Sequence, residues 1–482
     1  MQRSATADRK VWRGRATRAT VAALLLTSGA LAGLPPASAI SPPTIDPAAV
    51  PPDGPPGPPA PMKQTAYCTE VGVLPGTDFK VPPQYMDMLN LPEAWQFGRG
   101  AGVKVAVIDT GVTPHPRLPR LIPGGDYIMG GDGLSDCDAH GTIVASMIGA
   151  APTQASDAYS GIAPDVDIIS IRQSSQAFGL KDAYTGDEDP QTRAKVDSVE
   201  TMARAIVHAA DMGAQVINIS DVTCMSARNV VDQRSLGAAV RYAAVDKNVV
   251  IVAAAGDSSK KDCKQNPLFD PLQPNDPRDW NAVTTVVTPS WFSDYVLTVG
   301  AVNNDGRPLS QGGQGQGSSS IAGPWVGIAA PGTDVVGLSP RDDGLINAID
   351  GPDNTLLVPS GTSFSTAIVS GVAALVRAKY PELSSHQIIN RLTRTARAPA
   401  RGVDNQVGYG VVDPVAALTW DVPEGPVKPP QQLSAPLNTP KPAPPRDEVP
   451  VWVAAGGLTG ALLIGGAVFG VTMLMKRSRK QR

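Results

Sequence analysis

The chain is short of the residues on which several kinds of chemistry depend. Its 482 residues include four histidines, His115, His140, His208 and His386, and four cysteines, Cys68, Cys137, Cys224 and Cys263. None of them forms a C-x-x-C or Cys/His ligand spacing, so the sequence offers no zinc site and calls for no metal. No Asp-rich loop is specific enough to assign calcium; the sequence calls for no cofactor and leaves calcium open. No internal repeat is evident, which sets solenoid architectures aside. A basic surplus is also missing where it would matter. Residues 1–39 hold six Lys/Arg and one acid and the last seven residues hold five Lys/Arg, which leaves 30 basic and 43 acidic residues between 40 and 475. A body with a balance of −13 is not built to bind nucleic acid.

Two basic ends around an acidic middle suggest membrane topology. Arg9, Lys10, Arg13, Arg15 and Arg18 precede an apolar run over 21–34, and Ala37-Ser38-Ala39 follows. That pattern predicts a signal peptide over 1–39. Near the other end, residues 451–475 contain no charge, and Lys476-Arg477-Ser478-Arg479-Lys480 follows at once. Such a run, at about 1.5 Å per residue, crosses a hydrocarbon core of about 30 Å with modest tilt. The expectation is a single-pass cell-membrane protein with its body outside the cytoplasm and a cytoplasmic basic tail over 476–482. In an oxidising exterior the four cysteines suit two disulfides, with three pairings open.

Between the ends, residues 40–80 read as a Pro-rich N-terminal extension. Its stretch 41–61 reads as extended or polyproline-like and unable to pack a core. A second Pro-rich segment over 422–450 reads as a linker. The block 81–421 alternates two patterns. Short apolar runs at 103–108, 166–171, 215–219, 249–254 and 295–299 suit strands buried on both faces of a parallel sheet. Helical patterns at 196–212 and 235–246 separate several of them, and others follow near 363–379 and 385–396. Segments 173–192 and 257–279 read as long surface loops. The fold class is α/β: three layers, with a central, mainly parallel sheet flanked by helices.

Three short segments carry the chemistry: Val105-Ala106-Val107-Ile108-Asp109-Thr110-Gly111, Ala139-His140-Gly141-Thr142 and Ser360-Gly361-Thr362-Ser363-Phe364. Asp109 ends an apolar strand, where the carboxyl ends of parallel strands face a ligand crevice. A carboxylate there can hold a histidine in the correct tautomer and stabilise its imidazolium. Taken alone, Asp109 is equally a turn former. His140 opens a run of small residues that reads as a tightly packed helix. His208 and His386 lie on or near helices as ordinary residues, and His115 stands between prolines. Ser363 precedes a helical run, beside free backbone N–H groups and the positive end of a dipole. Alone it would read as a helix cap. The nucleophile elbow G-x-S-x-G is absent, because Ser365 fills its last position.

Jointly, the order Asp109, His140, Ser363 is that of subtilisin-type enzymes. The three blocks resemble the signatures of the subtilisin family (subtilases), over about 80–421. Together with the signal peptide, the Pro-rich extension and linker and the membrane helix, they resemble the mycosins, membrane-anchored subtilisin-like proteases of actinobacterial type VII secretion systems. The resemblance implies a subtilisin-like fold and a serine endopeptidase with the triad Asp109, His140 and Ser363. It implies exported protein substrates and the secretion complex as partners. It pairs Cys68 with Cys137 and Cys224 with Cys263, so that the extension wraps the domain. In subtilases an asparagine after an Ala-Ala-Gly strand end donates to the oxyanion; the matching residue is Asp257, which leaves the Ser363 backbone N–H as the surer donor. Asn218, Ser220, Asp221, Ala254 and Gly256 match the strands that flank the bound peptide, where their backbone can pair with substrate. Asp221 could select for a basic group there, although these segments read more simply as sheet edges.

Overall fold

The computed structural model describes residues 40–431 and 449–478, apart from 154–155, 183–185, 187–188, 261, 269–277, 310–318, 352–354 and 401. The expected signal peptide, most of the linker and the end of the basic tail lie outside the described residues. The chain divides into two units, Met1–Ser434 and Ala435–Arg482.

The first unit is built on seven parallel strands: β1 (Lys104–Asp109), β2 (Leu121–Asp126), β3 (Asp167–Arg172), β4 (Val216–Ile219), β5 (Val250–Ala254), β6 (Val296–Val302) and β7 (Val326–Pro331). Their spatial order is β7-β6-β5-β4-β1-β3-β2. The helices are α1 (His140–Gly149), α2 (Pro190–Asp211), α3 (Arg234–Arg241), α4 (Thr362–Lys379) and α5 (Ser385–Arg394). Strand side chains alternate between the two faces, as a period of two requires. Val105 and Val107 pack in one apolar cluster with Val144 and Ile148 of α1, Ile368 and Val372 of α4 and Ile388 of α5. Ala106 and Ile108 pack in the other, with Met202 and Ile206 of α2 and Leu236 and Val240 of α3. Helices on both faces make three layers and enclose the sheet, which explains why its strands read as unbroken apolar runs.

The five expected strands are present, and the structure adds β2 and β7. It corrects three readings. Segment 173–192 is not wholly a loop: Phe178–Leu180 is a strand antiparallel to Met62–Gln64, and α2 starts at Pro190 with Asp189 as its cap. The helix expected over 235–246 becomes a π-helical turn, Tyr242–Asp246, after Arg241. The Pro-rich stretch does contribute to a core, because Ile45 is enclosed with the α2 and α3 side chains.

The extension wraps the domain by several independent contacts. Besides the strand at Met62–Gln64, Val71–Gly72 pairs antiparallel with Ala348–Asp350. Arg204 donates to the Pro55 carbonyl at 3.0 Å, and His208 meets Asp53 at 2.8 Å. Disulfides join Cys68 to Cys137 and Cys224 to Cys263.

In the second unit the described part is one helix, Val449–Ser478, in which Gly457–Lys476 has a mean hydropathy of 2.0. By length and composition it is sufficient to cross a membrane.

Candidate active site

β1 lies between β3 and β4, so the connections on its two sides diverge at the carboxyl edge of the sheet, where ligand crevices form. Asp109 is the last residue of β1 and is completely enclosed. Its Oδ1 accepts from the Thr110 backbone at 2.8 Å and lies 2.6 Å from His140 Nδ1. His140 is the first residue of α1, with 30% of its side chain exposed. One ring nitrogen therefore faces the buried carboxylate and the other is left for the cleft. Burial disfavours the imidazolium, but the charge and hydrogen bond of Asp109 outweigh it and raise the His140 pKa to about 8.

Close packing sets this pair. A Cβ on Gly141 would come within 2.1 Å of the Gly111 carbonyl oxygen and 3.2 Å of Asp109 Oδ1, so only glycine lets the two segments approach. Ala139, just before the histidine, holds a left-handed backbone at φ 62°, a strained conformation for a residue with a side chain. A half-buried acid absent from the sequence reading, Asp136, ties both segments together. Asp136 accepts from Thr110 Oγ1 at 2.9 Å and from the Thr142 backbone and hydroxyl at 2.8 and 2.7 Å. Thr110 Oγ1 in turn accepts from the Gly141 N–H at 2.9 Å. Burial, opposed by the Thr142 and Thr110 hydrogen bonds, raises the Asp136 pKa to about 6. Cys137, next along the chain, anchors this corner to the extension through Cys68.

Ser363 is the second residue of α4 and not its cap. The cap position is Gly361, at φ 140°, which has no side chain to satisfy the first N–H groups. Those donors and the positive end of an 18-residue helix are therefore directed at the space beside the serine. Phe364 packs on the His140 ring at 5.5 Å between centroids, which places the start of α4 against α1. The Ser363 hydroxyl donates to the Ser220 carbonyl at 3.2 Å and makes no hydrogen bond to His140 in this structure. Rotation about its Cα–Cβ bond is needed before the imidazole can receive its proton; such looseness is common before substrate binds.

The expected substrate strands require a correction. β4 and β5 are adjacent interior strands of the sheet, in register at Asn218 and Val252. Asn218 is enclosed, and its side chain is committed to Ser220 Oγ at 2.8 Å and Ser370 Oγ at 2.8 Å, so it buttresses α4 and does not face substrate. Ala254 is enclosed as well, and Ser220 and Gly256 are nearly so. Only the segments leaving these strands reach the crevice. After β4 comes Asp221, half-buried and paired with Lys260. After β5 comes Asp257, whose Oδ1 accepts from the Ser259 backbone at 3.0 Å and from the Ser259 hydroxyl. Asp257 thus acts as an acceptor within its own turn. Among the described residues no group of three His, Cys, Asp or Glu side chains is placed to hold a metal ion.

A buried acid on a histidine, with a serine at an uncapped helix start, on a seven-stranded parallel sheet, is the architecture of a subtilisin-type serine peptidase. The profile of the subtilase family matches residues 100–410, and the chain belongs to that family. Within it the chain is of the mycosin type. It is 65% identical to Mycosin-5 of Mycobacterium tuberculosis over an alignment of 592 positions spanning all of both chains. It is 47% identical to Mycosin-1 of Mycolicibacterium smegmatis, over 90% of this chain and 94% of that one. Among solved structures, a chain in "an intact ESX-5 inner membrane complex" is 79% identical, with a TM-score of 0.77, over 90% of this chain and all of that one. The crystal structure of MycP1 from Mycobacterium smegmatis is 48% identical, also with a TM-score of 0.77, over 82% of this chain and 99% of that one.

Proposed function

We propose that this chain is a membrane-anchored extracytoplasmic serine endopeptidase that processes exported proteins through an Asp109-His140-Ser363 triad. The observation that carries the proposal is the 2.6 Å contact between enclosed Asp109 and His140, with α4 delivering Ser363 to the same crevice. In the reaction Ser363 Oγ bonds to the scissile carbonyl carbon and its proton passes to His140 Nε2. Asp109 stabilises the imidazolium, and the proton then leaves with the amine product. The first N–H groups of α4 face the oxyanion. Water, deprotonated by His140, releases the acyl group and restores Ser363. No cofactor enters this scheme, and calcium stays open.

The helix Val449–Ser478 supports a membrane anchor, and the basic residues from Lys476 support a cytoplasmic C-terminus. The domain plan follows: a signal peptide over 1–39, a peptidase body with its wrapped extension, a Pro-rich linker and one span. The likeness to a chain of an ESX-5 inner membrane complex supports association with a type VII secretion complex.

Asp257 favours a second reading, in which the chain chiefly stabilises such a complex and hydrolyses weakly. It stands where subtilases use a donor, and it accepts hydrogen bonds from Ser259. Losing one oxyanion donor costs about 10²–10³ in turnover. Fluorophosphonate labelling of the membrane-embedded chain separates the readings. The expected result is labelling that vanishes in Ser363→Ala and is faster by up to about 10² in Asp257→Asn. A native chain that stays unlabelled yet restores secretion decides for the second reading. Comparing the N-termini of exported proteins with and without Ser363 then identifies the substrate.

A further inference from the structure

The two segments that leave β4 and β5 are fastened to each other at the mouth of the crevice. Asp221 follows Ser220, the residue whose carbonyl receives the Ser363 hydroxyl. Facing it, Lys260 Nζ hydrogen-bonds to Asp221 Oδ1. The Cys224–Cys263 disulfide lies just beyond the pair, and Lys195 holds Asp262 at 2.8 Å. The Lys260 side chain is therefore presented to Asp221 by a pinned segment and not by a free tail. Both members keep 31% of their side-chain surface, so the pair lines a wall that a ligand can reach. Burial works against each charge, but their mutual attraction prevails, lowering the Asp221 pKa and raising that of Lys260. Asp221 is one residue from the carbonyl that holds the Ser363 hydroxyl, and the charges of His140 and Asp109 reach the pair as well.

Resting on the peptidase reading above, we infer that Asp221 is a subsite for a basic substrate side chain and that Lys260 occupies it while no substrate is bound. A lysine or arginine entering the crevice exchanges with the chain's own ammonium, while a neutral side chain leaves the internal pair intact. The exchange breaks one partly exposed ion pair and makes another, so it is close to balanced, and Lys260 acts as a competitor whose removal strengthens cation binding.

The test uses the full-length chain in nanodiscs carrying Ser363→Ala, so that binding is read without turnover. Benzamidine supplies the cation, and benzamide is the neutral control. Lys260→Met is expected to tighten benzamidine about two- to fivefold, with Lys260→Gln behaving alike and benzamide unchanged. Adding Asp221→Asn to Lys260→Met should abolish the gain. The inference is overturned if benzamidine affinity ignores Lys260, or if the double variant binds as tightly as Lys260→Met. It is equally overturned if benzamide gains as much as benzamidine. Fluorophosphonate labelling of the chain with Ser363 intact is read in parallel. Labelling without cation discrimination removes this subsite and leaves the peptidase standing; discrimination without labelling keeps the subsite and removes the peptidase.

Discussion

Replacing Asp109 by asparagine should move both the rate and the pH at which Ser363 becomes reactive. His140 must be neutral to take the serine proton, and its pKa stands at about 8, so reactivity should climb through a limb near pH 8. Relative to an ordinary histidine near 6.5, the shift corresponds to about 2 kcal/mol, an upper figure for a ring with 30% of its side chain exposed. Asparagine removes the charge and the carboxylate hydrogen bond and leaves burial, which opposes the imidazolium. The limb should therefore fall below about 6.5. The amide also permits the wrong tautomer, so the plateau should drop by about 10⁴ even as the limb turns acidic. The second-order rate of fluorophosphonate labelling between pH 5 and 10 reads both quantities without a known substrate. A native limb below pH 7, or a limb that Asp109→Asn leaves in place, would refute the reasoning. The same shift has a thermodynamic consequence. Because the folded pKa is the higher one, the stabilisation is complete below about 6.5 and is lost as pH rises through 8. Asp136 acts with the same sign, its share being complete below about 3.8 and lost through about 6. A decline in melting temperature between pH 7 and 9 thus belongs to His140, and it should shrink in Asp109→Asn.

Two structural predictions follow from packing. Ile45→Ala should cost about 2–5 kcal/mol in denaturant unfolding of the body, since Ile45 is enclosed against Gly237 and Phe292. A loss below about 1 kcal/mol would show that the extension does not share the core. Gly141→Ala should leave a folded chain by circular dichroism but cut labelling at least 100-fold, because the added methyl meets the Gly111 carbonyl and separates Asp109 from His140. Native labelling by this variant would mean that the corner relaxes freely.

The layers were legible where both sheet faces are covered by helices, because burial on two sides leaves an unbroken apolar run such as Val105 to Ile108. Legibility failed at the sheet's margins. β2 reads Leu-Ile-Pro-Gly-Gly-Asp, a turn by its residues, and it survives as an edge strand with a register shift between Pro123 and Asp126. β7 is Val-Gly-Ile-Ala-Ala-Pro, whose small residues carry little strand signal of their own. The strand Phe178–Leu180 exists only because the extension pairs with it, a partner more than a hundred residues away that no local pattern discloses. Ile45 is illegible for a related reason: one apolar residue among prolines has no period to mark it.

The site divides along the same line. Asp109, His140 and Ser363 stand in short segments whose neighbours are themselves constrained, the glycines by close approach and the strand end by burial, so chemistry and local sequence coincide. Asp136 and Lys260 work through single side chains whose partners are remote. Lys260 lies 39 residues from Asp221, in a polar segment that reads as loop. Two acids, Asp221 after β4 and Asp257 in place of a donor, take on meaning only with that lysine on Asp221 and within the field of Asp257. One cation then serves an acidic pocket on one side and offsets a misplaced carboxylate on the other. On the inference drawn above, the chain restrains its own crevice through the Lys260–Asp221 pair. Its selectivity rests on how readily an incoming basic residue displaces Lys260.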